Sequence, residues 1–552
     1  MAATESHDLP EGPNLPTPRL VAGSVALGLL VAIVGFAVFS SNPIPAEDAA
    51  ILFRYSENVA SGYGIVFNPM GPRVDGATDM LFMLTLAALV AVGFGVEVAA
   101  AAVNSLSLGL IATLLFLAWQ SKAVGPSAWA GVVPVAVVLG GPIWLYGQMG
   151  FGTPAFAAAC TVVAAASISA SKDAGRGHLL FLGSAVALAG LVRPEGFILG
   201  PLIVAAQAIV ARSLRMLVVP AAVWLPAVIG FVGWRNIYFG YPLPNPFYKK
   251  SGGTLHLEAL HSMAEFVAIA CLPILALLLF GLLLGEGRRR AYALVGIAIG
   301  WTASWTLLSD EMNVWFRFQY ALLPVLLTLS SDLWRAVYSG LSRLSHGAAV
   351  FGVAMTLVIT SLCFATSVNS FLRPSAKMLM VHLTQPEYVR QQSVHAQVAS
   401  VLRENGKGVE RSLASTEAGY VAWRSGWTVT DLWGLNDKTI AHDGYLKPSQ
   451  LVELAPEVIF AHIPTDNHQS SSVAVAQSYL PGWTGMTEPL LCFVNAERYV
   501  LLGQWRDGGS FVVLARRDLP DLMHLKAQFS DLTVWGVANT ASDGPLPVPE
   551  AC

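Results

Sequence analysis

The chain has 552 residues, of which 54% are hydrophobic and only 12% charged, with a net charge of −3 and a mean hydropathy of +0.58. So apolar a composition excludes an ordinary soluble globular protein, and the lack of any basic excess argues against a nucleic-acid partner. Five cysteines without paired or metal-type spacing exclude a disulfide framework, although Cys492 and Cys552 both fall in the polar tail and could pair outside the cell.

Residues 1–18, rich in proline and polar groups, read as a disordered cytoplasmic arm. Apolar runs long enough to span a bilayer follow near 20–40, 99–119, 125–146, 153–171, 178–193, 196–211, 216–238, 262–285, 291–308, 317–333 and 347–368, about eleven in all. The first run carries no cleavage pattern and reads as an anchor. A further run at 78–94 is ambiguous. If it lies in the outer interface, Lys122, Lys172, Arg176, Arg212, Arg215, Arg288, Arg289, Arg290, Arg335 and Arg343 all face the cytoplasm, as the positive-inside bias requires. From about residue 375 the composition turns to mixed α/β character. The expected fold class is therefore a polytopic α-helical membrane protein, with a transmembrane catalytic domain over 19–372 and a first external loop at 41–98. A soluble α/β domain over 375–552 follows. An odd number of spans places that domain outside the plasma membrane. Its tryptophans Trp423, Trp427, Trp433, Trp483, Trp505 and Trp535 either fill its core or stack on glycan.

On this topology five external loops gather the polar residues nearest the membrane. They carry Glu47, Asp48, Arg54 and Tyr55; Gln148 and Thr153; Arg193 and Glu195; Asn245, Tyr248, Lys249 and Lys250; and Asp310, Glu311 and Arg317. Charge at membrane depth is costly and is retained for function. The Glu47–Asp48 pair suits removal of a proton from a hydroxyl, with Asp48 the leading candidate, or oxygen ligation of a divalent cation. Capping an interfacial helix would also place acids there. Arg54, Arg193, Lys249, Lys250 and Arg317 suit a lipid phosphate, through an arginine fork or a lysine point charge. Taken singly, each could instead snorkel or pair with an acid, as Arg193 with Glu195 in a tight turn, or Arg317 with Asp310 and Glu311. The histidines His256, His261, His462 and His468 show no ligand spacing, and no nucleotide-binding or nucleophile-elbow motif is present.

Several stretches resemble the integral-membrane glycosyltransferases of the C superfamily, which take a sugar from a polyprenyl phosphate at the outer membrane face. They are most similar to the mycobacterial terminal β-arabinofuranosyltransferases. The resemblance rests on "EDAAILFRYSENVASGYGIVFNPMGPRVDGATDML", "VRPEGFIL", "YFGYPLPNPFYKK", "FRFQYALLPVLL" and "TDLWGLNDKTIA", spread from residue 47 to about 441. It implies that Asp48 activates an acceptor hydroxyl with Glu47 beside it. Arg54, Tyr55, Arg193, Glu195, Asn245, Tyr248, Lys249, Lys250 and Arg317 would then surround the donor. The implied partners are a polyprenyl-phosphate sugar, a cell-envelope glycan acceptor and membrane lipid. No cofactor is required, with a divalent cation on Glu47 and Asp48 possible in addition. Two departures stand out: Gly152 replaces a glutamate, and Asp79 replaces an asparagine, which leaves arabinose as a best guess. The rival readings are a related transferase using another sugar or a lipid or protein acceptor, and a lipid-linked sugar flippase or transporter. The latter would carry its charges through mid-membrane rather than at one face.

Overall fold

A computed structural model describes residues 16–41, 45–121, 129–170, 174–251, 255–270, 272–283, 287–307, 310, 313–341, 373–384, 393–408, 410–444, 446–463, 486–497, 499–506, 510–534 and 537–539. The apolar first two-thirds forms α1 (Pro18–Ser40), α2 (Glu47–Ala60), α3 (Met80–Ala91), α4 (Val96–Ser121), α5 (Trp129–Leu139), α6 (Ile143–Gln148), α7 (Thr153–Ser169), α8 (Arg176–Val192), α9 (Gly196–Ala211), α10 (Arg215–Phe239), α11 (Asn245–Ser251), α12 (Glu258–Ala270), α13 (Leu272–Leu283), α14 (Arg288–Trp305) and α15 (Leu322–Leu341).

Of these, α1, α4 and α10 are long and apolar enough to cross a membrane. They leave large hydrophobics such as Leu30, Ile33, Val218, Ile229 and Ile237 facing outward, which costs little where the surroundings are hydrocarbon. The chain therefore reads as membrane-inserted. Helix α1 packs along α4 through facing small residues: a Cβ on Gly109 would lie 2.5 Å from the Gly28 carbonyl, so the two backbones meet where no side chain separates them.

The ambiguous run becomes α3, whose 12 residues rise about 18 Å, well short of the roughly 30 Å of a hydrocarbon core. The run expected at 125–146 is broken by Gly140, Gly141 and Pro142 into α5 and the short α6, because proline cannot continue the hydrogen-bond ladder. The run expected from 317 begins its helix only at Leu322. The run at 347–368 lies outside the described residues.

The chain's last third holds a five-stranded sheet in the order β2-β1-β3-β5-β4, built from β1 (Ser412–Ser415), β2 (Thr428–Asp431), β3 (Val458–Ile463), β4 (Tyr499–Arg506) and β5 (Ser510–Arg516). Strand β1 runs parallel to β2 and β3, while β5 is antiparallel to β3 and β4. Trp423, Trp427, Trp433 and Trp505 are buried in this part, so they fill its core rather than offer a stacking face; Trp483 and Trp535 lie outside the described residues. Cys492 is disulfide-bonded, and Cys552 lies outside the described residues.

The helical and α/β parts meet along α2. Arg54, buried at 6% exposure, donates from Nε to the Phe67 carbonyl at 2.6 Å and from one terminal nitrogen to the Ala422 carbonyl. Its other terminal nitrogen reaches Asn68 Oδ1 at 2.7 Å and the Trp427 carbonyl at 3.0 Å. Trp423 Nε1 donates to Glu57 at 2.9 Å, and Arg424 pairs with Glu97 at 2.7 Å.

Removing the guanidinium strands several buried carbonyls, each costing about 1–3 kcal/mol. Arg54→Met is therefore expected to lower the melting temperature of the detergent-solubilised protein by roughly 5–10 °C. Arg54→Lys should recover little, since one ammonium cannot span acceptors from three stretches of chain. An unchanged midpoint in Arg54→Met would refute the seam.

Candidate active site

Two acids open α2, where the helix dipole favours negative charge. Successive helical residues point about 100° apart, so the carboxyls of Glu47 and Asp48 diverge. Asp48 faces a cavity of about 280 Å³ also lined by Asp79, Arg193, Glu195, Lys250 and Arg317, with apolar walls that include Phe151, Phe247, Trp305 and Phe318. Leu435 of the α/β part closes one side.

The charged groups form two sets. In the first, Arg317 pairs with Asp48 through one terminal nitrogen, while its Nε is buried with no hydrogen-bond partner. Its guanidinium carbon lies 4.2 Å from the Phe151 ring centroid and 4.7 Å from that of Phe318. Burial pushes the Asp48 carboxyl up, but the nearby charges of Arg317 and Lys250 outweigh it and hold Asp48 below the usual aspartate range. In the second set, Arg193 sits 3.2 Å from Asp79 and 2.9 Å from Glu195. Burial works against its charge, yet the two carboxylates more than offset it and keep Arg193 firmly protonated. Burial raises Asp79 in spite of Arg193, whereas the same arginine overcomes burial at Glu195 and lowers it.

Arg317 arrives on a strained stretch. Trp315 and Phe316 adopt φ of 58° and 62°, the left-handed region that costs L-residues roughly 1–2 kcal/mol each. Asn313 brackets the turn: its Nδ2 donates to Asp310 at 2.6 Å and to Gln319 at 2.8 Å, and its Oδ1 accepts from Phe318 N at 3.1 Å. Asp310 also accepts from Ser262. The acid partner of Arg317 is thus Asp48, not Asp310; Glu311 lies outside the described residues.

Several residues expected around a ligand stand elsewhere. Glu47 turns to the α/β part and accepts from Gly419 N at 2.8 Å and Tyr420 N at 3.0 Å, away from the Asp48 carboxyl. Arg54 spends its donors on the carbonyls of the seam and does not reach the cavity. Tyr55 lies beneath the cavity wall: its hydroxyl donates to the Val74 carbonyl at 3.1 Å and accepts from Gly76 N at 3.2 Å. Asn245 is buried, with its backbone N–H on the Asp75 carbonyl at 2.9 Å. Tyr248 packs its ring against Tyr241 and His442. Lys249 donates to the Gly444 carbonyl at 2.7 Å and lies 4.7 Å from the Trp433 ring centroid, whereas Lys250, one helical step on, lines the cavity.

Sequence reading missed two further features. Asp75 and Arg235 form an ion pair with both side chains 2% exposed; the arginine lies inside an apolar run, and only its cost in that setting signalled a buried partner. The pairing of Asp79 with Arg193 is the other. A Cβ on Gly152 would stand 2.3 Å from Asp79 Oδ2. The Asp79 carboxylate thus occupies the space that a side chain at 152 would need. The "TDLWGLND" stretch also gains a reason: Asp431 accepts from Trp433 N, Gly434 N and Asn436 N at 2.9, 3.1 and 2.8 Å, shaping the turn that presents Leu435.

Comparison with solved structures gives crystal structures of ArnT from Cupriavidus metallidurans. The form bound to undecaprenyl phosphate aligns with a TM-score of 0.54 at 14% identity, and the apo form with 0.55 at 17%. Each covers 90% of this chain and 98% of that one. The chain shares the fold of these ArnT structures. The cryo-EM structure of mycobacterial arabinofuranosyltransferase AftD aligns more loosely, with a TM-score of 0.44 at 13% identity over 91% of this chain and 40% of that one. A family model described as a domain of unknown function (DUF8728) matches residues 384–518. No curated protein matches the sequence.

Adding a methyl group at Gly152 forces Asp79 away from Arg193. Gly152→Ala is expected to cost roughly 1–3 kcal/mol, and its effect should shrink when combined with Asp79→Ala, because the two changes remove the same contact. Thermal unfolding of the two single variants and the double variant checks this; simple additivity would show that the residues do not interact.

Proposed function

We propose that the chain is a polyprenyl-phosphate-dependent glycosyltransferase, with its cavity and α/β domain on the outer side of the plasma membrane. The observation that carries the reading is Asp48 and Arg317 facing each other in one apolar-walled cavity beside Lys250. The shared fold supports it, since ArnT has been crystallised with undecaprenyl phosphate.

In this reading the donor phosphate binds between Arg317 and Lys250. Arg193 is already flanked by two carboxylates, so it contributes less to holding an anion and more to fixing Asp79 and Glu195 as acceptors for sugar hydroxyls. An arriving phosphate competes with Asp48 for Arg317, and the open Nε of that arginine favours a bidentate grip. Drawing Arg317 away leaves the Asp48 carboxylate clear to accept the proton of an acceptor hydroxyl as its oxygen attacks the anomeric carbon. The bond from that carbon to the phosphate oxygen breaks, and the two cations stabilise the departing charge. Polyprenyl phosphate leaves readily, so the reacting atoms need no cofactor. A cavity of about 280 Å³ lies near the lower bound of roughly 300 Å³ for small-molecule sites. It suits a single sugar headgroup, with the prenyl chain and the rest of the acceptor outside. Arabinofuranose, delivered to a cell-envelope glycan, is the sugar and destination that the sequence resemblance favours.

Asp48→Asn should lower sugar transfer by about 10²–10⁴-fold while polyprenyl-phosphate binding is kept. Arg317→Gln should weaken that binding as well as slow transfer. Transfer assays in membranes with several polyprenyl-phosphate sugars, run beside lipid-translocation assays, check both. Undiminished transfer by Asp48→Asn, or translocation without transfer by the native chain, would sink the reading.

A further inference from the structure

Outside the cavity, the carboxyl of Glu47 begins a cluster that runs through His395 and Glu417 to His462, brought from three other parts of the chain. His395 lies in the helix Val394–Asn405, Glu417 just after β1, and His462 on β3. His395 Nε2 stands 3.8 Å from Glu47 Oε1 and 3.8 Å from Glu417 Oε2, and His462 Nδ1 stands 3.6 Å from Glu417 Oε1. One ligand atom each from Glu47, His395 and Glu417 lies within 4.8 Å of the others.

These distances are too long for direct hydrogen bonds, and His395 Nε2 is a buried nitrogen without a hydrogen-bond partner. A nitrogen aimed at two carboxylates yet bonded to neither is poorly explained as a plain ion-pair network. Ligand atoms at roughly 2.0–2.2 Å from a shared ion stand about 3.4 Å apart in a tetrahedron, close to the 3.6 and 3.8 Å that separate these histidine nitrogens from the carboxylate oxygens. The rings are held in place for it. His462 stacks on Phe511 at 4.4 Å, and His395 meets the edges of Phe511 and Phe460 at 5.2 and 5.5 Å. Glu47 is steadied by the N–H groups of Gly419 and Tyr420.

We propose that Glu47, His395, Glu417 and His462 bind one divalent transition-metal ion, zinc foremost, that fastens the α/β domain to the start of α2. Two imidazoles and two carboxylates match the borderline preference of zinc and fill a tetrahedron without leaving a vacant coordination place. The site is therefore structural. None of the four lines the cavity, and Glu47 precedes Asp48 directly, so the ion fixes the turn from which Asp48 projects.

The test uses the full chain in detergent, stripped with EDTA and titrated with zinc chloride. The expected result is about one zinc per chain by elemental analysis, with affinity reduced at least roughly tenfold in His395→Ala and in Glu417→Gln but retained in Asp48→Asn. Uptake far below one ion per chain, equal uptake by the native chain and both ligand variants, or loss confined to Asp48→Asn would overturn the proposal. So would saturation by calcium or magnesium in preference to zinc. Should the ligand variants fail to fold, cobalt added to the stripped native chain decides: intense visible bands of a tetrahedral site are expected, and only the weak bands of octahedral cobalt would overturn it.

Discussion

The Arg54 guanidinium, gripping oxygens from three separate stretches of chain, is the contact on which the rest of the arrangement depends. It lies on α2 at the seam between an apolar helical body and an α/β domain. Because a helix turns about 100° per residue, the same short element fastens itself to the α/β domain with Glu47 and Arg54 and offers Asp48 to the cavity. Leu435 completes the cavity from the domain side. The site is therefore a product of the seam and belongs to neither part alone.

Inside the cavity the charges balance locally. Three acids meet three cations, but they are grouped unequally: Arg193 is shared by Asp79 and Glu195, while Arg317 and Lys250 attend the single carboxylate of Asp48. An incoming anion accordingly meets two cations facing one carboxylate at Arg317 and Lys250, and one cation facing two carboxylates at Arg193.

The gross architecture was legible in the residues because hydropathy reports directly on what a segment can be buried against. The runs near 153–171, 178–193 and 196–211 became α7, α8 and α9 with small shifts at their ends. Side-chain direction was far less legible. Lys249 and Lys250, or Glu47 and Asp48, are indistinguishable by type and by distance from a span end, and only helix phase sends one of each pair into the cavity. Arg54 looked like a phosphate ligand because an isolated cation at a membrane edge suggests an anion, yet main-chain carbonyls answered it instead. The Asp75–Arg235 pair and the approach of His395 to Glu47 join residues far apart in sequence. No local pattern encodes such contacts; they exist only once the chain has folded.

The two left-handed residues ahead of Arg317 give the cavity wall an uneven stiffness. Helices α2 and α9 present Asp48 and the Glu195 turn from regular backbone, whereas Trp315 and Phe316 hold their conformation only because the surrounding bonds of Asn313 oblige them to. The anion-facing arm of the site thus rests on backbone whose cost the surrounding fold must cover, whereas the carboxylate opposite rests on an ordinary helix.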